Sequence, residues 1–222
     1  MAEAQLAQKA EQVEQKAELK QEAKSESFKV FNLYDISNIK IKDIALKPYI
    51  NLSEKILPKS HGINTEKYGK AKVNILERLV NRLGVPGHLG KKHRIITNWS
   101  TGKYNRNMKT VLQVLGIIER TTKKNPIQVL IDAIENGSPR DEITVIEQAG
   151  ARYPQAVDVS PIRRVDLAIR WLVQGAYQKS FGKKKKIAET LASEIIFASQ
   201  GNMESFAMSK KNEAEKSADS SR

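Results

Sequence analysis

The sequence predicts a mainly α protein, a helical bundle of about six helices with a protruding two-stranded β-ribbon arm. Three observations predict it. Apolar residues recur at i, i+3, i+4 and i+7 through most of the stretch from Glu66 to Ser199, the spacing of one helix face. Proline occupies the first position of two of these segments, at Pro126 and Pro161, and Gly137 closes one of them. A single stretch, Glu142 to Val159, has strand-like patterning, and one two-stranded ribbon buries too little to make a core of its own.

Residues 1–27 are biased toward Ala, Glu, Lys and Gln, with four lysines against six glutamates. Leu6, Val13 and Leu19 are too few for a core, so this segment reads as a disordered tail or a lone helix that folds on a partner. Residues 28–213 read as a single folded domain. Phe28 to Ile44 is extended, and Asp43 to Leu57 gives short helical turns interrupted at Pro48 and stopped by Pro58. The first long helix is expected from about Glu66 to Leu83, with Leu76, Leu79, Val80 and Leu83 on one face. Gly84 to Thr101 is a glycine-bearing loop. A second helix, Tyr104 to Arg120, buries Met108, Val111, Leu112, Leu115 and Ile118. A third is capped by Asn125 and buries Ile127, Leu130, Ile131 and Ile134.

The arm spans 142–159, with strands Glu142 to Gln148 and Arg152 to Val159 and a turn at Ala149 and Gly150. Ser160 then caps a helix whose core stripe is Ile162, Val165, Ile169, Leu172 and Ala176, with Trp171 beside it. Ile187 to Ser199 turns Ile187, Leu191, Ile195 and Ala198 inward. A last short helix runs from Met203 to about Lys216, and 214–222 is expected to be a mobile tail.

Formal net charge is +13 and the pI is about 9.8, and the charge is clustered. Nucleic acid is therefore the leading partner class. The chain has no cysteine, which excludes disulfides, thiolate metal sites and cysteine nucleophiles. No apolar run approaches the roughly 20 residues that span a bilayer. No membrane partner, cofactor, metal or small-molecule substrate is expected, and the location is read as cytoplasmic.

The basic clusters are the candidate sites. Lys91, Lys92 and Arg94 follow three glycines in the loop from Gly84, where backbone can approach a phosphate closely. Lys92 stands where a Walker A loop needs Ser or Thr, so this is not a nucleotide-triphosphate motif. Trp99 either pins this loop or stacks on an unpaired base, and Arg106 follows it. Arg163, Arg164 and Arg170 share one helix, and Lys183, Lys184, Lys185 and Lys186 precede another. His61, His88 and His93 lie in loops without a carboxylate pair or nucleophile, so an enzyme is not expected. Glu135, Asp141 and Glu142 read as capping, hydrogen-bonding or arginine-pairing groups.

Several of these residues fall in blocks that resemble the small-ribosomal-subunit protein seven family in its archaeal and eukaryotic form, over roughly Ile44 to Arg222. The blocks are Glu77-Arg78-Leu79-Val80-Asn81, Gly90-Lys91-Lys92, Asn125-Pro126-Ile127-Gln128-Val129-Leu130, Ala133-Ile134-Glu135-Asn136, Pro139-Arg140-Asp141-Glu142, Ala156-Val157-Asp158-Val159-Ser160-Pro161-Ile162-Arg163-Arg164, and Ile187-Ala188-Glu189-Thr190-Leu191-Ala192 with Glu194.

The resemblance implies a helical bundle with a β-ribbon arm. It implies a structural constituent of the small ribosomal subunit, a primary binder of the 3′ major domain of small-subunit rRNA that nucleates head assembly. Exit-site tRNA, mRNA and neighbouring small-subunit proteins would be partners. The rRNA grip would fall on Lys91, Lys92, Arg94, Arg163, Arg164 and nearby cations, and the arm, with Ile143, Gln148, Ala149, Gly150, Arg152 and Tyr153, would approach tRNA and mRNA. The stretch Lys210 to Arg222 carries Glu, Asp and Ser where the family has a basic end. Composition alone also admits a generic DNA-binding or chromatin-type protein, which would need a groove-reading helix and usually a dimer interface.

Overall fold

The computed structural model describes residues 29–53, 55–60, 65–87 and 100–222. Among them are seven α-helices and one antiparallel hairpin, in the order α1 Gly69–Lys72, α2 Ile75–Gly84, α3 Tyr104–Thr122, α4 Pro126–Gly137, β1 Asp141–Gln148, β2 Ala151–Asp158, α5 Pro161–Ser180, α6 Ile187–Ser199 and α7 Phe206–Asp219. The mainly helical bundle with a ribbon arm is the predicted class.

α6 is the centre of the bundle and packs against α3, α4, α5 and α7. Its residues explain this. Ala188, Leu191, Ala192, Ile195 and Ala198 are buried, and Ile187 and Ile196 pack against the core from its edges. A helix apolar on most of its circumference is stable only when neighbours surround it. α3 contributes Met108, Val111, Val114, Leu115 and Ile118. Leu112, expected inside, is only half-buried, and Val114 takes the interior position instead.

The single helix expected from Glu66 to Leu83 is two. The chain is extended at Val73 and Asn74, and the Asn74 side chain accepts a hydrogen bond from the Leu76 amide at 2.9 Å. Asparagine satisfies an otherwise orphaned donor there, so it starts a new helix rather than continuing the old one. Asn125 caps α4 as expected, accepting from the Ile127 amide at 3.0 Å, and its Nδ2 also donates to the Asp35 carbonyl at 2.7 Å.

That second bond belongs to a larger arrangement. The extended segment before α1 lies along α4 and is fixed by polar side chains one helical turn apart. Gln128 accepts from the Lys40 amide and donates to the Lys40 carbonyl, both at 2.9 Å. Asp132 pairs with Lys42 at 3.1 Å. Glu135 accepts from the Lys42 and Asp43 amides at 2.7 and 3.0 Å. Residues at i, i+4 and i+7 share one helix face, and here they hold backbone that has no sheet partner.

The arm pairs Asp141 with Asp158 at its base and Gln148 with Ala151 at its tip. Ala149 and Gly150 form the two-residue turn with φ of 50° and 81°. Positive φ at both positions matches the right-handed twist of the strands. The base is braced from two sides. Arg163 on α5 pairs with Glu142 at 2.8 Å, Arg222 pairs with Asp141 at 2.6 Å, and the Arg140 amide donates to Glu215 at 3.0 Å. The segment expected to end its helix near Lys216 stays helical to Asp219, because Ala207 and Ala218 are fully buried against the bundle and the hairpin.

Gly175 marks a close helix crossing. A Cβ there would lie 2.6 Å from the Phe206 Cβ and 3.1 Å from the Glu194 carboxyl carbon. Glu194 is fully buried, accepts from Ser205 Oγ and the Phe206 amide at 3.0 Å each, and pairs with Lys179. It thereby caps α7 from another helix.

Candidate nucleic-acid interface

α5 turns Gln174 and Tyr177 toward the end of α2 and the turn that follows it. Gln174 Nε2 and Arg82 Nη2 both donate to the Pro86 carbonyl, at 3.2 and 3.3 Å. On either side of that contact lies a basic cleft.

The first cleft is lined by Lys70, Arg78, Asn81, Arg82, Asp166 and Arg170. Its charge is partly neutralised within the protein. Asp166 accepts from Lys70 at 2.6 Å and from Arg78 at 2.8 Å. Burial pushes the Asp166 carboxyl up, but the hydrogen bonds and charges of Lys70 and Arg78 outweigh it and hold the group below the usual carboxylate range. The alternative pairing of Asp166 with Arg170 along the helix is not formed. Arg82 is lowered by burial first and by Arg170 second. An arginine remains cationic under such a shift, so Arg82 and Arg170 leave the cleft positive.

The second cleft is lined by Thr101, Arg106, Asn107, Thr110, Tyr177, Ser180, Phe181, Lys183 and Lys185. Among the described residues no carboxylate lines it. Tyr177 is buried beside it and donates to the Leu83 carbonyl at 2.9 Å. Burial raises the Tyr177 hydroxyl to about 12, against a smaller opposing effect of Arg106. Phe181, at the end of α5, is 55% exposed. Lys184 is exposed beside this cleft, and Lys186 joins Arg120 in a shallow groove between α3 and α6 that also contains Glu189.

The expected cations therefore divide. Arg106, Lys183 and Lys185 come together. Arg170 lies in the neighbouring cleft. Arg163 is exposed and engaged at the arm base. Arg164 is turned inward and does not join this surface. It is 9% exposed and donates to Asp43 at 2.7 Å and to Ser138 Oγ at 3.3 Å, tying the extended segment to α5. Its position next to Val165 places it on the buried side of the helix. Lys91, Lys92 and Arg94, with Trp99, His61, His88 and His93, lie outside the described residues.

On the arm, Ala149, Gly150, Arg152 and Tyr153 are exposed and Ile143 is half-buried near the base. Arg152 faces Glu147 across the strands at 3.4 Å. Gln148 occupies the last position of β1. Glu135, Asp141 and Glu142 have the hydrogen-bonding and arginine-pairing roles expected of them.

Sequence reasoning does not single out Lys70, Arg78, Arg82 or Phe181. Arg78 and Arg82 are one turn apart on a helix whose opposite face is apolar, and Phe181 directly precedes Gly182 and the lysine run. Those spacings are the signals that could have found them. Among the described residues no three His, Asp or Glu side chains gather as a metal site, and no helix is long and apolar enough to cross a membrane.

A family model described as Ribosomal protein S7p/S5e matches residues 46–222. Small ribosomal subunit protein uS7 of Nanoarchaeum equitans is 47% identical over 195 residues, 87% of this chain and 98% of its own length. The uS7 proteins of Methanococcus maripaludis strain C7 and of Archaeoglobus fulgidus are each 42% identical, covering 87% and 89% of this chain and 98% and 96% of their own. The chain belongs to the ribosomal protein S7p/S5e family of the small ribosomal subunit.

Proposed function

We propose that the chain is a cytoplasmic, non-enzymatic scaffold of the small-subunit head that binds the 3′ major domain of small-subunit rRNA and nucleates folding of that domain. The observation that carries this reading is the second cleft, which no carboxylate lines among the described residues and where Arg106, Lys183 and Lys185 converge next to the partly neutralised first cleft. Cations without internal counterions are free to displace condensed cations from phosphates, which makes binding strongly salt-dependent. Lys91, Lys92 and Arg94 add to the same grip, as do Arg163, Arg170, Lys184 and Lys186. The arm reaches toward exit-site tRNA and mRNA, with Ala149 and Gly150 at its tip. Other small-subunit proteins complete its surroundings.

The test is binding of the purified protein to a transcript of the 3′ third of small-subunit rRNA, titrated in salt with duplex DNA as competitor. Tight, RNA-selective binding that weakens steeply with salt is expected. Equal affinity for duplex DNA would overturn the reading.

A further inference from the structure

We propose that the first cleft holds one phosphate of the RNA backbone between Arg82 and Arg170, and that Asp166 is the internal counterion that limits how tightly it is held. This rests on the rRNA-binding reading above and adds to it a phosphate position and the residue that tempers it.

Charge carries the first part of the inference. Among the described residues, Lys70, Arg78, Arg82 and Arg170 line the cleft against one carboxylate, Asp166, an excess of +3. Asp166 is taken up by Lys70 at 2.6 Å and by Arg78 at 2.8 Å. Arg82 and Arg170 form no ion pair among the described residues. Burial weighs on the Arg82 charge first and Arg170 second, and Asp166 offsets less than Arg170 adds. An anion placed between two like charges replaces their repulsion with two attractions.

Geometry carries the second part. Arg82 is fixed by its Nη2, which donates to the Pro86 carbonyl at 3.3 Å. The Nε atoms of Arg78 and Arg82 are buried without a hydrogen-bond partner, although buried polar groups are nearly always paired. Neither guanidinium is therefore fully matched inside the protein. Val73 and Ile169 are buried in the cleft wall, and apolar surroundings strengthen charge pairing by lowering the local dielectric. The cleft measures about 390 Å³, toward the small end of ligand sites, so it admits a backbone unit rather than a length of duplex. No aromatic lines it among the described residues, so the contact positions a phosphate and reads no base. The guanidinium fork matches phosphate oxygens in pairs.

Two measurements on the full chain test this. One is thermal melting in inorganic phosphate against chloride at equal ionic strength. The other is binding to the transcript of the 3′ third of small-subunit rRNA across a salt series. The variants are Arg170→Gln, Arg170→Lys and Asp166→Asn. Arg170 is exposed, so its replacement leaves the core untouched. General effects of salt on folding act on every variant alike, so the differences between variants report the cleft.

Phosphate is expected to raise the melting temperature of the unmodified chain above its value in chloride, as a ligand of the folded state does. Arg170→Gln is expected to lose much of that rise and to flatten the slope of log affinity against log salt by about 0.7–0.9, the share of one phosphate. Arg170→Lys is expected to keep the slope and bind more weakly, because the charge remains and the fork is lost. Asp166→Asn is expected to show a larger phosphate-dependent rise and tighter binding to the transcript, although it is less stable without ligand. A purely structural role for Asp166 predicts the opposite sign.

An Arg170→Gln variant with the phosphate-dependent rise and slope of the unmodified chain would overturn the site, as would weaker transcript binding by folded Asp166→Asn. A glutamate oligomer that stabilises the unmodified chain but not Arg170→Gln, with RNA binding equal in the two, would assign the cleft to an acidic peptide and overturn the RNA assignment. If the unmodified chain does not bind the transcript selectively, the function proposed above falls, and the melting data still decide the cleft. Loss of the phosphate-dependent rise in Arg170→Gln then supports the phosphate site, and its persistence overturns it.

Discussion

The cleft side of the bundle and the arm have opposite electrostatics. The bundle presents Arg82, Arg170, Arg106, Lys183 and Lys185 in two adjoining clefts. The arm from Asp141 to Asp158 carries four carboxylates and one arginine, a net charge of −3 in a chain of +13. Its single cation, Arg152, already faces Glu147. Its exposed apolar and aromatic side chains are Val145, Ile146, Tyr153 and Val157. Under the proposed function, one part of the protein neutralises phosphate and the other presents shape and apolar surface. Salt should act on the first and leave the second nearly untouched.

The largest expected effect comes from the cations of the second cleft. Replacing Arg106, Lys183 and Lys185 with glutamine should cut rRNA affinity at low salt by tenfold or more and flatten its salt dependence, about 0.7–0.9 in slope for each phosphate left without its cation. A slope equal to that of the unmodified chain would erase the distinction between the two regions.

Next are substitutions that act through the fold. Gly175→Ala forces a methyl group against Phe206 and the Glu194 carboxylate. It should cost about 1–3 kcal/mol in urea unfolding, the usual penalty for overpacking. Arg164→Gln removes a charged hydrogen-bond donor from Asp43 and should cost about 1–3 kcal/mol as well. Because Arg164 faces inward, the salt slope of RNA binding by the folded variant should not change. A flattened slope in Arg164→Gln would show that buried and surface cations are not separable in this way.

Acid provides a finer probe. Asp166 and Asp43 are both held below the usual carboxylate range in the fold. Burial opposes this in each case, and Lys70 and Arg78, or Arg164, outweigh it. Each contributes stability that is complete above about pH 4 and is lost as pH falls through the depressed value. Asp166→Asn should therefore make the loss of unfolding stability less steep as pH falls below about 4. At the alkaline end, Tyr177 and Tyr104 are raised from 10.0 to about 12 by burial, so their contribution is complete below pH 10 and is lost as pH rises toward 12. Tyr177→Phe should shallow the decline in that window.

The smallest effect is at the arm base. Arg222→Gln breaks an ion pair whose arginine is 61% exposed, so global stability should change by under about 1 kcal/mol. Amide exchange in β1 near Asp141 should nevertheless quicken, because one of the three contacts at the base is gone. Unchanged exchange there would mean that Arg163 and Glu215 hold the arm without it.

How much of the fold and site is legible in the sequence varies with the physics involved. The Asn125-Pro126 start of α4 and its Gly137 end are readable, because capping chemistry is local. The turn at Ala149 and Gly150 is also readable. The break at Asn74 is hidden because apolar spacing runs through it, and only the cap geometry shows that the chain restarts there. The inward turn of Arg164 is hidden for a different reason. Adjacent arginines look alike in sequence, and Asp43, the partner that draws one of them in, is 121 positions away. The pairing of Asp166 with Lys70 and Arg78 rather than Arg170 is likewise a tertiary fact. Basic residues announce themselves in a sequence, but which of them remain free for a phosphate depends on where the carboxylates fold.

The most direct test of the central claim compares two variants in the same salt titration against the 3′ third of small-subunit rRNA. One is the Arg106, Lys183, Lys185 triple glutamine variant. The other is an arm variant with Val145 and Tyr153 replaced by serine. The cleft variant should lose affinity and slope together, whereas the arm variant should keep the slope of the unmodified chain. Equal slopes for the cleft variant and the unmodified chain, or a flattened slope in the arm variant, would contradict the division of labour described for this molecule.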